Sequence, residues 1–412
     1  MTKGNAFMAV NLPPLPRLLP VPGLRLATVA AGVRKPGRPD LTLFALDEGA
    51  ETAALFTRNR FCAAPVILAR RHRDVAAPRY WLVNTGNANA GTGAPGLAAA
   101  QRCCEAVAAA TGCPAEAVLP YSTGVIGETL AVERIEAAVP ALLAGLTQDG
   151  WAAAATGIMT TDTAPKGLSF APDEAHPYTL TGISKGAGMI RPDMATMLAF
   201  LATDAPVAPA LLQNLLRQAV DRSFNRITID GDTSTNDAVT LVATGQASMP
   251  RLEDPEDPRV LAFAERLSDL CRYLAQAIVR DGEGATKFVT VEVAEARSEA
   301  EALAAAYTIA HSPLVKTALF AGDPNWGRIL AALGRAGIDD LAVEGVRLQI
   351  NGLTIAEAGA LAPSYREADG AAVMKAEELT LAVTLGRGQA SGTVWTTDFS
   401  YDYVKINAEY RS

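Results

Sequence analysis

The chain has 412 residues, 49% of them hydrophobic and 19% charged, with a formal net charge of -8. This is the composition of a folded chain long enough for two or three domains, not of a disordered one. The acidic balance argues against nucleic acid or an anionic membrane as partner and leaves small charged metabolites, bound by a few placed cations.

The first residues, MTKGNAFMAVNLPPLPRLLPVPG, are interrupted by prolines and have no unbroken apolar stretch, which predicts a mature cytoplasmic start rather than a signal peptide. No run of roughly 18 apolar residues predicts a membrane span. Short apolar runs at Leu41–Leu46, Pro65–Ala69 and Tyr80–Val83 predict strands. The Ala-rich stretch Pro95–Thr111 predicts a helix, and Leu130–Gly145 a second one broken at Pro140. Tyr178–Ile183 and Met197–Leu201 read as strands on either side of a Gly-rich turn. Pro209–Val220 carries Leu211, Leu212, Leu215, Leu216 and Ala219 on one helical stripe. Leu261–Val279 reads as another helix, Lys287–Val293 alternates like a strand, and the tail from Leu379 to Ile406 reads mostly as strand. The interleaving predicts a layered α/β (α+β) protein, neither a Rossmann domain nor a barrel.

Five cysteines form no C-x-x-C pair and three scattered histidines match no zinc spacing, so free thiols and no metal are expected. The chemistry concentrates in Ser184–Phe200, SKGAGMIRPDMATMLAF. Gly186 and Gly188 permit unusual backbone, Pro192 stiffens the chain, and Thr196 heads an apolar run. By itself this pattern is also that of a glycine turn feeding a buried strand, with Thr196 an ordinary β-former.

The run Lys185–Leu198 (KGAGMIRPDMATML) resembles the self-cleaving centre of the ornithine acetyltransferase (glutamate N-acetyltransferase) family. The likeness extends over essentially the whole chain. It includes Gly37–Asp40 (GRPD), Phe56–Pro65 (FTRNRFCAAP), Asn84–Gly91 (NTGNANAG), Ser122–Gly127 (STGVIG) and Ile158–Thr163 (IMTTDT). It continues through Ser223–Asp237 (SFNRITIDGDTSTND), Asp281–Lys287 (DGEGATK), Ser312–Arg328 (SPLVKTALFAGDPNWGR) and the terminal YDYVKINAEYRS.

The resemblance implies the fold shared by ornithine acetyltransferases and β-aminopeptidases, with N-terminal-nucleophile character. It implies a cut between Ala195 and Thr196, giving an α-chain of residues 1–195 and a β-chain of residues 196–412, assembled as α2β2. Thr196 becomes the nucleophile, its new α-amine serving as base. The reference value of such an amine is about 7.7–8.0, so no histidine is needed. Thr123 and Gly124 are implied as the oxyanion site. Thr163, Lys185, Thr196, Glu283, Asn407 and Ser412 are implied as substrate-binding, Ser412 standing where the family ends in Thr. The charges give Lys185 a carboxylate and Glu283 an ammonium to hold. The implied reaction passes acetyl from N-acetylornithine to Thr196 and then to glutamate, in the cytoplasm, with no bound cofactor and with acetyl-CoA as a further donor in some members. Two other readings stay open: a hydrolase or aminopeptidase of the same architecture, and a non-catalytic amino-acid-binding protein.

Other patterns carry plainer readings. Gly91, Gly93 and Gly96 spell G-x-G-x-x-G with Pro95 inside it, which reads as a strand-to-helix turn. Asp230–Asp237 (DGDTSTND) lacks the order of a calcium loop. Cys103 and Cys104, Trp326, and the methionines 159, 189, 194 and 197 read as packing residues.

Overall fold

The computed structural model describes residues 9–34, 37–191 and 197–409. Two compact units emerge, the larger made of residues 13–225 and 233–278, the smaller of the described residues of 1–12, 226–232 and 279–412.

The larger unit runs β1 (Leu24–Val29), β2 (Leu41–Leu46), β3 (Glu51–Phe56), α1 (Ala64–Val75), β4 (Tyr80–Asn87), α2 (Gly93–Thr111), β5 (Val118–Val125), α3 (Val132–Ala144) and α4 (Trp151–Gly157). It continues with β6 (Lys166–Phe170), β7 (Leu180–Lys185), β8 (Leu198–Thr203), α5 (Pro209–Asp221), β9 (Ala238–Ala243) and α6 (Pro258–Arg280). The strands form two sheets, ordered β1-β2-β4-β5 and β3-β9-β8-β7-β6. Every residue of β2, β7, β8 and β9 is buried, so β2, β8 and β9 read as largely apolar runs instead of alternating ones.

The sheets meet through Phe200 of β8. Its ring centroid lies 4.9 Å from Phe44, 5.9 Å from Trp81 and 5.1 Å from Tyr121, all three on the opposite sheet. Tyr121 and Thr240 add a hydroxyl–hydroxyl bond of 2.8 Å between β5 and β9. Helices cover the outer faces. Cys104, Val107, Ile135 and Leu142 of α2 and α3 pack with Leu43 and Leu82 of the first sheet. On the second, a Cβ at Gly182 would stand 3.1 Å from Leu270 and from Leu274 of α6. The result is a helix–sheet–sheet–helix sandwich.

Three sequence expectations need correcting. Pro65–Ala69 lies in α1, not in a strand. Ala64, Pro65, Val66, Leu68, Ala69 and His72 are its buried residues, and Pro65 takes an N-terminal helical position where its missing N–H costs nothing. The helix α3 runs unbroken past Pro140, which is exposed, because Val139 and Leu142 beside it are buried. In the smaller unit, the tail from Leu379 to Ile406 holds strands at Glu378–Thr384 and Ala390–Thr397 as expected, but it ends in a helix at Tyr401–Ala408.

That unit comprises β10 (Phe288–Ala296), α7 (Glu299–Ala310), α8 (Pro313–Ala321), α9 (Trp326–Leu333), β11 (Arg347–Ile350), β12 (Leu353–Glu357), β13 (Ala360–Leu361), α10 (Glu367–Val373), β14 (Glu378–Thr384), β15 (Ala390–Thr397) and α11 (Tyr401–Ala408). Its six-stranded sheet is ordered β13-β12-β11-β14-β10-β15. Val289, Val291 and Val293 of β10 share a core with Ala302, Ala306 and Ile309 of α7, and Trp326 packs against the same core. Ser298, Ser312, Asn325 and Ser400 cap α7, α8, α9 and α11 through their side-chain oxygens.

Candidate active site

In the larger unit the implied residues gather at one end of the strands. Thr123 and Gly124 close β5, where it runs parallel to β4 with Gly124 opposite Gly86. Gly124 has φ +136°, and a Cβ there would lie 2.3 Å from the Gly86 carbonyl carbon. Only glycine fits so close a backbone approach. The end of β5 is tied down by amides: Ser122 Oγ donates to Asn84 Oδ1 at 2.6 Å, and Asn236 Nδ2 donates to the Ser122 carbonyl at 2.9 Å.

Lys185 ends β7 and is buried. Its Nζ donates to Thr160 Oγ at 2.8 Å and to Thr123 Oγ at 3.2 Å. Behind it stands a fully enclosed ion pair, Lys166 Nζ to Asp162 Oδ1 at 2.7 Å, with neither side chain exposed. Asp162 also accepts from the Gly186 N–H at 2.7 Å and from the Thr160 N–H at 2.9 Å. One carboxylate thus fixes the residue after Lys185 and one of that lysine's partners. Burial pushes the Asp162 carboxyl up, but Lys166, Lys185 and the Gly186 N–H together hold it well below the usual carboxylate range.

Asp237 is the opposite case. Burial pushes its carboxyl well above the usual range, with Ser234 and Lys185 offsetting only part. Its Oδ2 is buried and has no hydrogen-bond partner among the described residues, so folding favours its neutral form. Asp237 lies one residue before Ala238, whose N–H donates to the Met197 carbonyl at 2.9 Å. Met197 and Met159 are buried here as expected, whereas Met189 is 43% exposed and is no core residue.

In the smaller unit Glu283 is buried, and its Oε2 accepts from Asn407 Nδ2 of α11 at 2.9 Å. Thr163 is exposed. Ala195, Thr196, Met194 and Ser412 lie outside the described residues. Sequence reasoning missed Thr160, Asp162 and Lys166. No local pattern marked them: Asp162 and Lys166 stand in a polar stretch with Thr160, Thr161 and Thr163.

The competing patterns resolve plainly. Gly91 lies in the turn from β4 into α2, and Gly93 and Gly96 in the first turn of α2, where Asn89 Nδ2 donates to the Gly96 carbonyl at 2.9 Å. Burial pushes the Cys103 thiol up to about 12 and that of Cys104 higher than usual, which leaves both unreactive at neutral pH. Among the described residues no group of three or more His, Cys, Asp or Glu is placed to hold a metal. No described helix is long and apolar enough to cross a membrane.

A hydroxyl held by a buried lysine thus stands beside a glycine-only backbone at the end of the four-layer sandwich. The class is that of a layered α/β acyltransferase. Comparison with known proteins names the family. The ArgJ family model matches residues 25–412. The arginine biosynthesis bifunctional protein ArgJ of Pseudomonas syringae pv. tomato is 58% identical over 407 residues, covering 98% of this chain and 100% of that protein. Its counterpart in Methylococcus capsulatus is 55% identical over 397 residues, covering 96% and 97%. A crystal structure of Mycobacterium tuberculosis ornithine acetyltransferase complexed with ornithine is 37% identical, covers 42% of this chain and 94% of that one, and has a TM-score of 0.40. The chain belongs to the ArgJ family and is an acyltransferase of arginine biosynthesis.

Proposed function

We propose that this enzyme moves an acetyl group from N-acetylornithine to glutamate by way of an ester on Thr196, after cutting its own chain between Ala195 and Thr196. In the cut, the Thr196 oxygen bonds to the Ala195 carbonyl carbon and the C–N bond breaks. The hydroxyl proton ends on the freed nitrogen, and water then opens the ester. In transfer, the same oxygen takes the acetyl carbon of N-acetylornithine, and its proton passes through the Thr196 amine to the departing amine of ornithine. Glutamate reverses these steps and leaves as N-acetylglutamate.

The observation that carries this reading is the contact between Lys185 and Thr123. A lysine that donates to Thr123 Oγ occupies a lone pair of that hydroxyl and leaves its hydrogen to be aimed elsewhere. Thr123 and the Gly124 backbone then serve the oxyanion of each tetrahedral intermediate. Lys185 holds the substrate carboxylate and adds positive charge in a water-poor site, where such charge acts most strongly. Glu283, with Asn407 on its Oε2, holds the substrate ammonium. Thr163 and Ser412 complete the binding set. The products of the cut are chains of residues 1–195 and 196–412, working as α2β2 in the cytoplasm, with acetyl-CoA as a second acetyl donor.

Intact mass under denaturing conditions tests the proposal. The expected result is two chains, with the heavier-numbered one gaining about 42 Da on Thr196 after N-acetylornithine is added, as one acetyl for one proton requires. A Thr196→Ala protein that stays whole and transfers nothing agrees; undiminished transfer by that protein overturns the mechanism. Acetate release indifferent to glutamate identifies a hydrolase instead.

A further inference from the structure

Lys316, in α8, belongs to none of the roles above, yet its side chain is among the most enclosed in the chain, at 1% exposure. Its Nζ donates to Thr396 Oγ at 2.9 Å, to Thr397 Oγ at 3.3 Å and, closer still, to the Thr397 carbonyl. The Phe399 ring covers it at 4.6 Å, and the Phe399 N–H returns to the Lys316 carbonyl at 3.2 Å. A buried amine held by three oxygens of one short segment fixes that segment, because moving it would leave the amine unpaired.

The segment in turn holds two neighbouring stretches of chain. Asp398 accepts from the N–H groups of Thr286 at 2.8 Å and Lys287 at 3.0 Å, and from the Thr286 hydroxyl. Ser400 Oγ donates to the Gly284 carbonyl at 2.6 Å and accepts from the Tyr403 N–H, starting α11. Gly284 leaves no room for drift, since a Cβ there would lie 2.5 Å from Tyr403 N. The 282–287 loop carries Glu283, and α11 carries Asn407.

We propose that Lys316 is a positioning residue for substrate binding: it locks the Thr396–Ser400 segment, and that segment sets the Glu283–Asn407 pair. The inference rests on the reading of Glu283 as the ammonium-binding group. Lys316 touches no substrate and acts entirely through the segment above it. Nothing in the pattern of transfer chemistry requires it, so its removal should weaken binding and spare the acyl step.

The test uses the whole enzyme in four forms: unchanged, Lys316→Met, Ser400→Ala and Glu283→Gln. Lys316→Met keeps the side-chain length and removes the donors. The expected result is a KM for N-acetylornithine raised about tenfold or more in Lys316→Met, with kcat within about twofold, and a smaller rise of the same kind in Ser400→Ala. Amide hydrogen exchange over residues 401–408 should quicken in both. An unchanged KM and unchanged exchange in Lys316→Met overturn the inference. Should Lys316→Met fail to fold, Ser400→Ala decides by the same two readouts. Glu283→Gln separates the two readings: an unchanged KM there refutes the ammonium-binding role, whereas a raised KM there with normal values in Lys316→Met and Ser400→Ala refutes the positioning role alone.

Discussion

Lys185 donates from Nζ to the Oγ of Thr123 at 3.2 Å, joining the end of β7 to the end of β5 in opposite sheets of one sandwich. A cation and a hydroxyl so joined act as one unit, and their removal should not add. Lys185→Met and Thr123→Val should each lower kcat by about 10²–10³, the usual cost of one oxyanion donor. The double variant should fall little further than either. Steady-state kinetics on all four forms checks this; full additivity would mean that the two act separately.

Gly124 leaves no alternative residue. Gly124→Ala must keep a positive φ, at about 1–3 kcal/mol, and must push a carbon away from the Gly86 backbone. A Tm lowered by several degrees is expected, at ~2–4 °C per kcal/mol for a unit of this size, together with loss of transfer. Calorimetry beside an activity assay measures both.

The enclosed pair of Asp162 and Lys166 is a liability once broken. Asp162→Asn leaves a buried ammonium without its counter-charge, and about 3–5 kcal/mol of stability should go with it. The acid side follows from the same carboxylate. Folding lowers its affinity for protons, so its contribution is complete above about pH 4, near the unfolded value, and is surrendered as pH falls from there toward the folded value. Urea midpoints between pH 3 and 7 should therefore decline more steeply in the unaltered protein than in Asp162→Asn.

Lys316 governs the alkaline side. Burial lowers its ammonium from 10.5 to about 7, against the pull of Asp398 and Asp230. Between those two values the unfolded chain holds the proton and the folded one does not, so stability attributable to this group rises with pH across that window. Below about 7 both states are charged and the burial penalty is complete. Lys316→Met should flatten the rise, which thermal scans at pH 6.5, 8 and 9.5 would show.

Parts of the frame were legible in the sequence where a strand or a helix face is wholly buried. The apolar run that predicts Met197–Leu201 is β8 starting one residue later, and the leucine stripe of Pro209–Val220 is the buried face of α5. Legibility failed where five residues were asked to decide between periods. Pro65–Ala69 has no room to show that its apolar spacing continues to His72. It failed again where tertiary contact overrode local preference, as at Pro140. The candidate site divides along the same line. Thr123, Gly124, Lys185, Glu283 and Asn407 came from motif resemblance, and none from pattern alone. Asp162 and Lys166 look like surface charges in one dimension, because their burial depends on a pairing between loop and strand that no local period encodes.

Strand β8 has a neighbour on each side, antiparallel β7 and parallel β9, with six registered residue pairs to each. A chain severed just ahead of β8 would be nicked without being divided. The upstream piece would supply β7, the downstream piece β8 and β9, and each would be the missing strand of the other's sheet. Separating them would demand unzipping the sandwich through Phe200, so the pieces should part only when the whole unit melts, and neither should refold without its complement.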